Sequence, residues 1–176
     1  RVKLLEQLRE KLLPMLRQHA ECFRDSIVPA LAQHGVQLRR WDDLTAGQRL
    51  VADAYFDTHI SPALTPLVID PVHPFPFLSN LSTSLAFLLH DPERPEPMYA
   101  RIKVPAVLRQ WVRLQADVTP GHTLLVPLYE VIRGNVHKLY GGMTLAATTL
   151  LRLTRDAEVE IDDDSDAILS EVVREQ

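Results

Sequence analysis

Arg101 and Lys103 stand two residues apart in Tyr99-Ala-Arg-Ile-Lys-Val104. That spacing turns both side chains to one face of a strand. A guanidinium and an ammonium on one face suit phosphate oxygens. The solvated polar side of a hairpin is the preferred reading of the pair, since exposed Lys and Arg need no explanation. Arg152 and Arg155 add two cations near the end of an apolar run. Arg155 precedes Asp156, so a structural ion pair competes there with a ligand contact. The remaining inventory is thin. The seven histidines form no HExxH pair and no Cys/His cluster, which leaves a metal site without support. The six glycines never approach the GxxxxGKS/T phosphate loop. There is no Gly-x-Ser-x-Gly elbow, and no spacing singles out a Ser/His/Asp triad.

These cations need elements to position them. Ser82 to His90 places Leu85, Phe87 and Leu89 on one strand face, and Met98 to Val104 alternates in the same way. With Pro92, Pro95 and Pro97 between them, the two segments predict a hairpin with a long tip. Trp111 to Leu114 and Thr144 to Thr154 predict further strands. Thr123 to Leu128 predicts an apolar segment running into a helix over Tyr129 to Tyr140, stopped by Gly141 and Gly142. Val36 to Leu38 reads as a short link. Thr45-Ala-Gly-Gln48 is a capping-box pattern opening a helix that stops before Pro62. Upstream, apolar residues from Val2 to Leu31 recur at three- and four-residue steps, predicting a long amphipathic helix that Pro14 should kink or divide and Gly35 should end. Cys22 within it reads as a small buried hydrophobe. Asp162 to Asp164 predict the start of a last helix. The expected fold is α+β: a helical N-terminal segment, then a mixed, largely antiparallel sheet packed with helices.

Between Leu64 and Leu81 the chain is a stiff connector, with Pro66, Pro71, Pro74 and Pro76 fixing an extended path and apolar residues anchoring it. His73, set among those prolines, reads as a residue that fixes the connector rather than a phosphoryl acceptor. Asn80 reads as a backbone-bonding residue at the strand entrance. Trp41, Phe75, Phe77 and Trp111 could stack a base, and core or interface packing is the preferred reading.

Hydrophobic residues make up 46% of the 176, enough for a packed core and against disorder. The net charge of −4 is uneven. Residues 1–60 carry +1, residues 61–155 carry +3, and residues 156–176 carry −8. The body is thus mildly basic, well below a dedicated nucleic-acid binder. No apolar run reaches the ~20 residues of a membrane span. With one cysteine, no internal disulfide can form.

Three blocks resemble a known family. They are Asp70-Pro-Val-His-Pro-Phe-Pro-Phe-Leu-Ser-Asn80, Tyr99-Ala-Arg-Ile-Lys-Val-Pro105 and Leu153-Thr-Arg-Asp-Ala-Glu158. Their residues, order and spacing resemble the head (middle) domain of bacterial polyphosphate kinase. Phe23-Arg-Asp-Ser-Ile-Val-Pro-Ala-Leu31 is similar to the helix closing that family's N-terminal domain. The resemblance implies residues 1–36 as the end of the N-terminal domain and residues 37–176 as a head domain truncated at its C-terminal end. It implies a parent enzyme moving the γ-phosphoryl of ATP reversibly onto polyphosphate, with Mg²⁺, through a histidine outside this chain. No catalytic residue and no metal ligand carries over. Asp70, His73, Pro74, Pro76, Asn80 and Asp156 carry over as structural motif residues. Arg101, Lys103, Arg152 and Arg155 are the phosphate-facing candidates, and none of these groups is expected to hold ATP or Mg²⁺ by itself. The implied partners are polyphosphate, ATP or ADP, the remaining domains and a second copy of the chain, in the cytoplasm or at the membrane periphery, with no nucleic acid. The rival expectation is a free-standing interaction module using the N-terminal helix and the acidic C-terminal segment.

Overall fold

The computed structural model describes residues 2–69, 79–94 and 96–154. Helix α1 (Val2–Cys22) runs without a break through Pro14. The proline removes one backbone donor, and the surrounding turns retain theirs. The interruption comes later, as a π turn over Phe23–Ile27 that leads into α2 (Val28–Gln33). Pro29 lies at the start of α2, just after the π turn and within one continuous helical run, where its ring and missing N–H disturb the regular backbone ladder. Gly35 ends the run with φ of +77°, a conformation open to glycine at little cost. Leu4, Leu5, Leu8, Leu12 and Leu16 are each more than half exposed. Cys22 is exposed too, which corrects the expectation of a buried thiol. The apolar stripe of α1 finds no cover among the described residues, so its cysteine has nothing to be buried against.

The expected link at Val36–Leu38 is instead strand β1. It pairs in parallel with β6 (Thr123–Pro127), which pairs antiparallel with β5 (Trp111–Leu114). A three-residue strand gave too short a pattern to be recognised from sequence. The second sheet is fully antiparallel, in the order β2 (Leu67–Ile69), β4 (Met98–Lys103), β3 (Thr83–His90), β7 (Thr144–Arg152). The β3–β4 hairpin forms as predicted, with Leu85 opposite Ile102 and Phe87 opposite Ala100. Its tip starts on a turn in which the Asp91 carboxylate accepts from the Glu93 N–H.

Helix α3 (Ala46–Tyr55) opens on the expected capping box. The Thr45 hydroxyl accepts from the Gln48 N–H at 3.2 Å, and the Gln48 side-chain oxygen accepts from the Thr45 N–H at 3.1 Å. Past Tyr55 the helix widens into a π turn and tightens into a 3₁₀ turn at Ser61–Ala63. Ala52, Phe56 and Ile60, spaced by four, are all buried. The helix predicted over Tyr129–Tyr140 is two pieces, α4 (Leu128–Gly134) and α5 (Val136–Leu139), parted at buried Asn135. One core joins the two sheets: Leu85, Phe87 and Ile102 meet Val112, Leu124 and Val126 together with α3 and α4. The architecture is α+β as expected, with the strands divided between two sheets.

Candidate functional site

Strand pairing fixes where each cation lies. Directly opposed residues of neighbouring strands share a face. Arg101 is opposite Ala86, and Ala86 is opposite Thr149. One step along, Lys103 is opposite Ser84, which is opposite Leu151. Arg101, Lys103 and Ser84 therefore share the face turned away from Leu85 and Phe87. Arg152 is opposite Thr83, one residue out of phase, and belongs to the other face at an exposed strand end. The structure thus brings Arg101 and Lys103 together and separates Arg152 from them. Arg155, Asp156, Asp70, His73, Pro74 and Pro76 lie outside the described residues, as do Phe75, Phe77 and the acidic C-terminal segment.

Arg101 is 5% exposed and Lys103 is exposed. This corrects the reading of both as one solvated polar face. Arg101 Nε donates to Ser84 Oγ at 3.1 Å. No carboxylate of the described residues reaches the guanidinium, and burial alone pulls its pKa down from the ordinary arginine value. A buried cation without an anionic partner is expensive to keep. Lys103 Nζ donates to Ser79 Oγ at 3.4 Å. Ser79 belongs to the turn entering β3, where Leu81 holds φ of +59° and Ser82 Oγ donates to the Ser79 carbonyl at 2.6 Å. Asn80 sits in the same turn and is engaged in a contact. The result is two cations and one serine hydroxyl on one sheet face, with the Ser79 hydroxyl at its edge, a set able to hold an oxyanion. Sequence reasoning missed Ser79 and Ser84. Ser84 on the strand face opposite Leu85 and Phe87, in phase with Ala86, was the available signal for the second of these.

On the first sheet, Trp111 is 41% exposed, which corrects the core half of its expected role and does not touch the interface half. Trp41 is partly buried against Gly134. Its backbone N–H donates to Glu130 Oε2 at 3.0 Å, and that carboxylate also receives Arg133 at 2.9 Å. Among the described residues no group of three His, Cys, Asp or Glu side chains could hold a metal ion, and no helix is long and apolar enough to cross a membrane.

An α+β unit with this arrangement recurs as one domain of kinase chains. The sequence profile described as "Polyphosphate kinase middle domain" matches residues 47–176, and the chain belongs to that family. It is 38% identical over 170 residues to a polyphosphate kinase of Prochlorococcus marinus, covering 93% of this chain and 24% of that one. It is 35% identical over 178 residues to a polyphosphate kinase of Mycobacterium ulcerans, covering 98% and 24%. The chain therefore spans about a quarter of the length of these curated relatives. The crystal structure of polyphosphate kinase from Porphyromonas gingivalis superposes with a TM-score of 0.83 at 22% identity, over 97% of this chain and 28% of that one, and so shares its fold. These matches lend no support to the rival reading of a free-standing interaction module.

Proposed function

We propose that this chain is the middle portion of a polyphosphate kinase and supplies a phosphate-facing surface rather than catalytic groups. In this reading residues 1–36 close a preceding helical domain and residues 37–176 form most of the middle domain. The parent enzyme moves the γ-phosphoryl of ATP reversibly onto polyphosphate through a histidine, with Mg²⁺, using parts outside this chain. It works as a cytoplasmic homo-oligomer. The observation that carries the reading is the family match over residues 47–176. The polar face adds support: a buried Arg101 that no carboxylate of the described residues reaches and an exposed Lys103 beside it suit a polyanion that brings its own negative charge. Arg152 and Arg155 remain candidates for a second contact with the same polyanion.

The test is made in the complete polyphosphate kinase reading frame containing these residues. Arg101→Met and Lys103→Met should raise the KM for polyphosphate about tenfold each, the loss of one charge-assisted contact. The KM for ATP should hold. Arg101→Lys should recover part of the loss. If both KM values stay put in folded Arg101→Met enzyme, Arg101 does not face phosphate. Residues 1–176 alone should form no polyphosphate from ATP, and turnover above a no-protein control would overturn the non-catalytic part of the reading.

A further inference from the structure

The outer face of the first sheet carries a positively charged rim around an aromatic groove, and the reading above uses neither. Val112, Leu114, Leu124 and Val126 are buried in the core, so Trp111, Arg113, Leu125 and Pro127 point out. The helical residues 20–28 lie across that face, and between them is a cavity of about 410 Å³. Phe23 lines it from the helix, Trp111 from β5 and Tyr129 from the first turn of α4. Phe23 is 43% exposed, much like Trp111, so the groove stands open. An open apolar surface rimmed by polar groups is the usual mark of an interaction site. Arg39 and Arg40 line the groove just past β1, and Arg113 shares the outer face with Trp111 two residues along β5. All three are exposed, and none makes an ion pair or side-chain hydrogen bond among the described residues. Asp43 lines the groove and offsets one of these charges, while Arg24 is already paired with Asp25 at 2.7 Å.

From this arrangement we infer a docking groove for a short acidic segment of a partner protein, one that sets carboxylates beside a large apolar side chain. The apolar side chain packs among Phe23, Trp111 and Tyr129, as anchors at protein interfaces do. The carboxylates pair with Arg39 and Arg40, whose forked donors match them. Arg113 adds attraction from the rim, where charge selects and steers an oppositely charged partner. β5 is the last strand of its sheet among the described residues, so an extended segment can also reach main-chain groups beside Trp111. A second copy of this chain docked isologously on the groove would bring the same arginines face to face. A purely apolar helix would bury unpaired cations at a cost. A flat anionic lipid surface would engage the arginines and leave the recessed aromatic groups unfilled. The groove is separate from the Arg101 face, which lies on the other sheet.

The complete polyphosphate kinase reading frame containing these residues is panned with a phage library of random peptides. The double variant Trp111→Ala with Arg40→Glu serves as the counter-selection. Enriched peptides should carry neighbouring aspartates or glutamates within a few residues of a leucine or an aromatic. The most enriched peptide, labelled with fluorescein, should bind the parent enzyme with a micromolar Kd in fluorescence anisotropy and more weakly as salt rises. Trp111→Ala and Arg40→Glu should each weaken it about tenfold, as should replacing its acids by amides. Both side chains are exposed, so neither change threatens the core, and circular dichroism checks that the enzyme stays folded. Arg101→Met should leave peptide binding unchanged, which separates this groove from the polyphosphate face. Four results overturn the inference. They are no enrichment over the counter-selection, enriched peptides without carboxylates, affinity that ignores both Trp111→Ala and Arg40→Glu, or phosphatidylglycerol vesicles binding through Trp111 and Arg40 where no peptide does.

Discussion

Arg101 Nε donates to Ser84 Oγ at 3.1 Å across two antiparallel strands, and among the described residues no carboxylate joins them. Evolution of a stable fold alone would not favour this arrangement, because a buried charge replaced by an apolar residue of similar volume is often neutral or stabilising. Arg101→Met should therefore leave the chain as stable as before, or raise its stability by about 1 kcal/mol. Ser84→Ala should do the opposite. It removes the one side-chain hydrogen bond that the guanidinium makes among the described residues and should cost about 1–3 kcal/mol. Urea unfolding of the two variants reads both signs. Destabilisation by Arg101→Met as large as that by Ser84→Ala would mark Arg101 as a structural element of the sheet and not a group held for a ligand.

Gly134 lies flat under the indole of Trp41, and a methyl group built there runs into the ring. The indole cannot retreat freely, because the Trp41 N–H is tied to Glu130, whose carboxylate also holds Arg133. Gly134→Ala should cost about 1–3 kcal/mol by overpacking, despite the better helix propensity of alanine. Gly141 has open space where its side chain would be. Gly141→Ala should change stability by no more than about 0.5 kcal/mol. Thermal melts of the pair check this, and Trp41 fluorescence should shift in Gly134→Ala alone.

The two-sheet core shows which features a sequence makes legible. The β3–β4 hairpin and the α3 capping box were legible because each rests on local pattern: alternation of Leu85, Phe87 and Leu89 in the first, Thr45 followed by Gln48 in the second. The parallel pairing of Val36–Leu38 with Thr123–Leu125 was not legible, because its partner lies far along the chain and three residues carry no period. Pro14 suggested a break that the helix does not make, while Pro29, the second proline that could disturb it, closely follows the π turn at Phe23–Ile27. At the candidate site the Arg101/Lys103 pair was legible from period two. Their different burial was not, since it depends on what covers the sheet. Arg152 looked equivalent until the register placed it opposite Thr83.

The Thr45 hydroxyl does two jobs. It accepts from the Gln48 N–H and donates to Asp117 Oδ2 at 2.9 Å, tying the start of α3 to the loop between β5 and β6. Asp117 holds φ of +50° there. Thr45→Ala loses both contacts and should cost about 1–2 kcal/mol, while Thr45→Ser should retain most of the stability. Because both residues act through one hydroxyl, the double variant with Asp117→Ala should lose less than the sum of the singles by at least about 0.5 kcal/mol. Strict additivity in a double-mutant cycle would mean that the Asp117 contact contributes nothing in solution.

Tyr140 is 6% exposed, stacks at a tilt on Phe87 and donates to the Leu67 carbonyl at 3.4 Å. Burial pushes its pKa up to about 12 from 10.0. The folded state therefore holds the phenol proton more tightly than the unfolded chain does. The resulting stability is fully present below about pH 10, where the phenol is neutral in both states, and is lost as pH rises from about 10 to about 12. Its size is on the order of 2–3 kcal/mol. Other groups titrate in the same range, so the informative quantity is the difference between the parent chain and Tyr140→Phe. Phenylalanine keeps the ring and has no proton to lose. Urea midpoints measured from pH 8 to pH 11.5 should fall more steeply for the parent, with the two curves converging or crossing as pH rises. Parallel curves across that window would show that the Tyr140 hydroxyl is solvated in the folded chain and that β2 does not close over it.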